Sequence, residues 1–312
     1  MGGLIAGVLF LWVAFRSTPV AAQEGPLVVF NAGSLTKPLN ELLRAFKAKY
    51  PGVIPAQENS GSLEAARKLT ELDKIPDLLA VADKEVIPKL LIPRFTSWYA
   101  VFARTSMVLV YTDGSEAADE ITAQNWWEVL QRPKGRWGHS DPALDPAGYR
   151  SLMVFQLAER YYQQPGLAAR LTRAIPSRNI RPKSADLIAL LQAGELDYAW
   201  EYEAVARMHG LQYVSLPPQI NLGDTDRGEA YAHAAVRLPG ASRQGADSVE
   251  FRGEPIGYAL TIPKAAPHPE TARAFVRFVF STEGQTILER NGFRLLSRPV
   301  FGGPEPPPQG LL

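Results

Sequence analysis

With 312 residues and a mass of 34.2 kDa, the chain is long enough for two packed lobes or one large domain with substantial cores. It is 46% hydrophobic and 21% charged, a soluble globular mix that excludes wholesale disorder and collagen-like repetition. The 33 Lys and Arg stand against 32 Asp and Glu, so no overall basic field is available to hold nucleic acid. Cysteine is absent, which excludes disulfides, thiolate metal sites, cysteine nucleophiles and a lipidated N-terminal cysteine.

Leu4 to Phe15 is an apolar run of about a dozen residues, short of the roughly 20 that cross a membrane. Small residues follow, with Val20 and Ala22 at the positions a signal peptidase reads. The expectation is an exported, periplasmic protein whose signal peptide, residues 1–22, is cut after Ala22. No Lys or Arg precedes the run, and an uncleaved anchor or a buried strand is the alternative. Cleavage there removes only Arg16 and leaves a near-neutral surface.

Leu27-Val28-Val29-Phe30, bounded by Gly25-Pro26 and Asn31-Ala32-Gly33, reads as a buried strand. Leu39, Leu42, Leu43 and Phe46 recur at i, i+3, i+4, i+7 and predict an amphipathic helix ending near Tyr50-Pro51-Gly52. A second helix is expected from Ser62-Leu63 through Leu69 and Leu72, then strands at Asp77–Val81 and Met107–Tyr111. Further on, a helix follows Asp145 towards Tyr161, another opens at Ser184, and Tyr198–Tyr202 is a strand end turning into a helix. Ala272, Phe275, Val276 and Val279 mark a helix, Thr282–Gln285 has a capping-box pattern, and that last helix stops at Asn291-Gly292. Residues 302–308 read as a loose Pro/Gly tail. Strands alternating with helices predict an α/β fold with mainly parallel sheets.

Four helix starts carry small or hydroxyl residues: Gly33-Ser34, Gly61-Ser62, Pro146-Ala147-Gly148 and Ser184-Ala185. Unpaired N–H groups and the positive dipole end make such places ready anion sites, although Ser and Gly are also ordinary caps. Two lie in each half of the chain, so two facing lobes would let them converge. Enzyme motifs are missing: His139, His209, His233 and His268 have no HExxH spacing, and there is no GxSxG elbow, Walker A loop or GxGxxG.

Several ordered stretches resemble the molybdate/tungstate-binding proteins of ABC importers, the tungstate-type subgroup in particular. They are Asn31-Ala32-Gly33-Ser34-Leu35, Gly61-Ser62 with Arg67-Lys68-Leu69, and Pro76–Asp83. After these come Ile92-Pro93-Arg94 through Tyr111-Thr112-Asp113, then Asp145–Met153, Glu201-Tyr202 with His209-Gly210-Leu211, and Leu216-Pro217-Pro218 with Ile220-Asn221-Leu222. The resemblance spans almost the whole mature chain. It implies a two-lobed periplasmic-binding-protein fold of type II, with the ligand cleft between lobes joined by crossover strands at Met107–Tyr111 and Pro255–Ile262. Lobe one would comprise residues 23–106 and 258–312, the latter including the C-terminal tail, and lobe two residues 107–257. The implied function is capture of molybdate or tungstate by a monomer without a cofactor, and delivery to an ABC permease with its ATPase.

Carried over by motif, Gly33, Ser34 and Ser62 would line the oxyanion from lobe one, and Asp145, Pro146, Ala147 and Glu201 from lobe two, with Tyr202 and Ser184 nearby. Many relatives have cysteine where this chain has Ala147, a change of small effect if the backbone N–H is what binds. Where relatives often have an acid the chain has Gln219, which favours Glu201 as the carboxylate that matters.

Two acids suit a dianion poorly, since like charges within about 4–6 Å repel and raise each other's pKa. Either carboxylate oxygens bind the metal centre itself, or one carboxyl stays protonated and donates to an oxo group. The resemblance implies the first, with Asp145 and Glu201 completing an octahedron around molybdenum or tungsten; hard oxygen ligands suit a high-valent centre. Sulfur in sulfate does not readily take extra ligands, so the acids would repel it. Other readings are a binding protein for sulfate, phosphate or an iron-carrying anion, a periplasmic sensor, or a secreted hydrolase using Asp145 and Glu201 as an acid/base pair.

Overall fold

The protein is described by a computed structural model over residues 23–133, 136–240 and 247–311; the expected signal peptide lies outside the described residues. The chain opens with β1 (Gly25–Ala32), a 3-10 turn at Gly33–Leu35, α1 (Thr36–Lys49), β2 (Val53–Ser60), α2 (Ser62–Leu72), β3 (Leu78–Val81), α3 (Val86–Leu90) and β4 (Tyr99–Arg104). It continues with β5 (Met107–Tyr111), α4 (Trp126–Val129), β6 (Trp137–Ser140), α5 (Pro146–Tyr161), α6 (Leu167–Ala174), β7 (Ile180–Arg181), α7 (Ser184–Gln192), β8 (Tyr198–Tyr202), α8 (Glu203–His209) and β9 (Gln212–Ser215). The last elements are α9 (Gly228–Tyr231), β10 (Ala235–Pro239), β11 (Ser248–Arg252), β12 (Gly257–Thr261), α10 (Pro269–Phe280), α11 (Thr282–Arg290) and β13 (Arg294–Gly302).

Two sheets organise two lobes. One has six strands in the order β13-β4-β12-β3-β1-β2, the other five in the order β7-β6-β8-β5-β9, and β10 and β11 form a separate antiparallel hairpin. The helical periodicities are met by burial: Leu39, Leu42, Leu43 and Phe46 of α1 and Ala272, Phe275, Val276 and Val279 of α10 are all in the core. Phe46 meets Phe275 and Phe278 edge-on or tilted, at 5.2 and 5.6 Å between ring centroids, so α1 and α10 pack through one aromatic cluster.

Several expectations are corrected. The sheets are mixed rather than mainly parallel: β1 runs parallel to β2 and β3, and β6 to β7 and β8, but the pairs made by β4, β5, β9, β12 and β13 are antiparallel. β5 and β12 enter from the other lobe, and β4, β9 and β13 each follow a helix yet pair antiparallel with the strands beside them. The passages between sheets are Thr105-Ser106 and residues 253–256, not strands 107–111 and 255–262; β5 pairs only within the smaller sheet and β12 only within the larger. The cap of α11 is Ser281, whose Oγ accepts from Gly284 N–H, one position earlier than the expected box. The C-terminal segment is tied down: β13 pairs with β4, Glu305 N–H donates to Ser97 C=O at 3.2 Å, and Leu311 is buried.

The lobes are closed on each other. Leu63 and Glu64, in the first turn of α2, donate their N–H groups across to Leu144 C=O at 3.2 and 3.3 Å. Arg67 of the same helix reaches Ala143 C=O at 2.6 Å and Pro239 C=O at 2.7 Å. A side chain at Gly61 would put its Cβ 2.1 Å from Leu144 O, so this approach is open only to glycine. Deeper in, Asp83 after β3 meets Arg150 of α5. Both side chains have zero exposure, and Asp83 Oδ2 accepts from Arg150 Nε at 2.7 Å and from Tyr149 OH at 2.5 Å. Arg150 Nη2 is 2.6 Å from that oxygen but lies off the hydrogen-bonding direction, so Nε carries the bond. Burial works against the guanidinium charge, yet Asp83 more than offsets it and the pKa of Arg150 is raised.

Candidate functional site

Asp145 caps α5 from the extended residue before Pro146, which sits at the first helical position where its missing N–H costs nothing. Asp145 Oδ1 accepts from Ala147 N–H at 2.9 Å and from Ser140 Oγ at 3.0 Å. Its other oxygen, Oδ2, has only a long contact of 3.5 Å from Ser184 N–H, at the start of α7. Glu201 lies near the end of β8, where its Oε2 accepts from Tyr202 N–H at 2.9 Å; its Oε1 is buried with no hydrogen-bond partner among the described residues. Each carboxylate therefore has one oxygen held by the protein and one turned away from strong bonds.

The two acids feel each other. Burial is the main force on Asp145 and pushes its pKa up to about 6, while Ser140, Ala147 and Ser184 pull it back. Glu201 is pushed up to about 8, again first by burial and then by the charge of Asp145, with the Tyr202 N–H and the Ser184 hydroxyl opposing. Ser184 thus touches both groups, its N–H on Asp145 and its hydroxyl beside Glu201. Two carboxylates less than 5% exposed, at the ends of different elements, converge on one serine.

The larger sheet brings hydroxyls to the same place. Ser34, in the turn after β1, is buried and its Oγ has no hydrogen-bond partner among the described residues. Gly33 beside it backs onto α7: a Cβ placed there would be 3.5 Å from the Ala185 side chain. Ser62 opens α2 with zero exposure, and its Oγ accepts from Ala82 N–H at 3.0 Å, leaving its own proton to donate. It follows Gly61, whose built Cβ would stand 3.2 Å from Asp145 Cα.

Two helix starts are less available than expected from sequence. The first-turn N–H groups Leu63 and Glu64 of α2 are spent on Leu144, and the Ala147 N–H of α5 is spent on Asp145. Pro146 contributes position rather than a donor. Tyr202 is buried, its hydroxyl without a hydrogen-bond partner among the described residues; its pKa is raised by burial first and then by Asp83, with Asp145 adding to it, so it stands between the Asp83–Arg150 pair and the acids. Tyr258 of β12 was not singled out from the sequence. Its hydroxyl is buried without a hydrogen-bond partner among the described residues, close enough to Ser34 for that hydroxyl to lower its pKa and to Glu201 and Asp145 for their charges to raise it. A tyrosine in an apolar strand looks like core packing, and nothing local in the sequence marks an unmatched hydroxyl.

A separate cavity of about 340 Å³ lies over the hinge, lined by Arg104, Thr105, Ser106, Glu203, Asn221 and Arg294 among others. None of the candidate residues lines it. Its Glu203 is paired with Arg294 and Arg207 and accepts from Ser106 Oγ, which accounts for its charge structurally.

Residues 27–294 match the family model for bacterial extracellular solute-binding protein. An uncharacterized solute-binding protein of Petrotoga mobilis is 44% identical over 303 residues, covering 96% of this chain and 94% of its own. The molybdate/tungstate-binding protein WtpA of Pyrococcus abyssi is 35% identical over 316 residues, covering 93% and 90%. Among solved structures, the sulfate-binding protein SubI of Mycobacterium tuberculosis H37Rv superposes with a TM-score of 0.60 over 88% of both chains. At 14% identity that likeness concerns the fold alone.

Proposed function

This chain belongs to the bacterial extracellular solute-binding proteins, and from that premise we propose that it captures molybdate or tungstate outside the cytoplasm and hands it to an ABC importer. The observation that carries the reading is the pair of acids. Asp145 and Glu201 each keep one oxygen out of strong bonds, and both lean on Ser184. Direct coordination puts Asp145 Oδ2 and Glu201 Oε1 on the metal atom, raising its coordination from four towards six. Neutral hydroxyls at Ser34, Ser62 and Ser184 then satisfy oxo groups, with Gly33, Pro146 and Ala147 shaping the wall. Sulfate offers no such vacancy on sulfur, so the same acids repel it.

A pKa of about 8 for Glu201 supports a variant in which that carboxyl arrives protonated and donates to an oxo group instead of coordinating. Single substitutions separate the two, because Gln keeps a donor but is a poor ligand. Purified protein titrated calorimetrically with molybdate, tungstate and sulfate is expected to bind the first two and reject the third. Under coordination, Glu201→Gln and Asp145→Asn each lower tungstate affinity by about 100-fold or more, since loss of even a residue that only supports a metal ligand costs about 10- to 100-fold. Retained affinity in Glu201→Gln favours the donor variant. Unchanged affinity in the double substitution removes direct coordination, and preference for sulfate or phosphate removes the molybdate/tungstate reading. The partners in this reading, a permease and its ATPase, take the loaded protein as a monomer.

A further inference from the structure

Three buried oxygens without hydrogen-bond partners among the described residues converge: Ser34 Oγ, Glu201 Oε1 and Tyr258 OH. A buried phenol left unpaired is costly, and its retention calls for a partner. The Tyr258 ring cannot swing its hydroxyl elsewhere. It packs against Phe293 at 4.8 Å, Tyr202 at 5.8 Å and Phe102 at 6.2 Å between centroids, and the residue has zero exposure. Ser34 is its hydroxyl neighbour, close enough to lower the phenol's pKa, but the geometry between the two does not make a hydrogen bond.

We infer that Tyr258 is a direct contact for the captured oxyanion, its hydroxyl donating a hydrogen bond to an oxo group. The inference rests on the oxyanion reading above and adds a residue to it. The arrangement explains the division of labour between lobes. Ser34 and Tyr258 come from the larger sheet and are neutral donors, whereas Asp145 and Glu201 come with the smaller sheet and offer oxygens to the metal. Burial, Glu201 and Asp145 all push the phenol's pKa up, so it keeps its proton and remains a donor across the physiological range. Because β12 follows the passage at residues 253–256, Tyr258 stands where the lobes meet.

The test is Tyr258→Phe, which keeps the ring and removes the hydroxyl. Tungstate binding followed by calorimetry is expected to weaken by about ten- to 100-fold, the worth of one hydrogen bond to a charged acceptor. Without oxyanion the variant melts at the same temperature as the parent or higher, because a hydroxyl that lacked a partner is gone. The tyrosine difference spectrum that tungstate induces in the parent shrinks in the variant. Unchanged affinity overturns the inference while leaving the oxyanion reading standing. A variant that loses ligand-free stability along with affinity assigns the hydroxyl a structural role and also overturns it. If the parent protein binds none of tungstate, molybdate or sulfate, the reading beneath fails first and the inference falls with it.

Discussion

Replacing Asp83 by Asn strips the charge from the partner of Arg150 while keeping its shape. The guanidinium has zero exposure, so it cannot recover water, and its remaining acceptors are the Glu254 C=O at 3.2 Å and, marginally, the Arg252 C=O at 3.5 Å. Breaking one side of a buried pair costs about 3–5 kcal/mol. The two carbonyls and the Glu254 carboxylate, which also acts on Arg150, place the expected loss at the lower end, about 3 kcal/mol. For a protein of this size that corresponds to a fall in Tm of roughly 5 °C. Calorimetry and urea unfolding of the ligand-free protein both read it. The companion variant Asp83→Leu with Arg150→Met removes both charges together, and its loss is expected to be smaller than that of Asp83→Asn alone. A loss under about 1 kcal/mol for Asp83→Asn, or a double variant as damaged as the summed single changes, refutes the claim that Asp83 offsets the burial of the Arg150 charge.

Gly61→Ala places a methyl where Leu144 O would lie 2.1 Å away, so the closed lobes must part. Tungstate affinity is expected to fall at least tenfold with little change in the unfolding of the open form, and unaltered affinity shows that the approach is not needed for capture. The acids predict a stability profile. Folded-state pKa values of about 6 for Asp145 and about 8 for Glu201 lie above their unfolded values, so the protons they retain stabilise the fold fully below pH 4. That contribution is lost as pH rises through about 6 and then about 8. Between pH 5.5 and 8.5 Glu201→Gln should therefore lose about 3 kcal/mol less than the parent in urea titrations without oxyanion; parallel profiles count against the burial of Glu201.

Local signals carried most of what the sequence revealed. Helices α1, α2 and α10 were legible because their apolar spacing is set by 3.6 residues per turn, and β5 because its apolar run is short and rich in β-branched valine. Strand β13 escaped because it is an edge strand with only partial burial, so its residues show no apolar run. The β10–β11 hairpin is likewise only partly buried. Orientation of the sheets was misread because pairing direction depends on how the chain returns from the other lobe, which periodicity does not record. At the site, Asp145 and Glu201 were reached through the family resemblance, but Tyr258 was not, since its relevance lies in a missing partner that only packing shows.

One peptide joins two duties. The Leu144 carbonyl receives the N–H groups of the opposite lobe, and the very next side chain is the carboxylate of Asp145. If Asp145 holds the cargo as proposed, gripping it and shutting the jaws are a single displacement of one backbone segment. The corollary concerns unloading: cargo held this way does not leak from a shut protein, and its departure waits on whatever pries that segment away from α2.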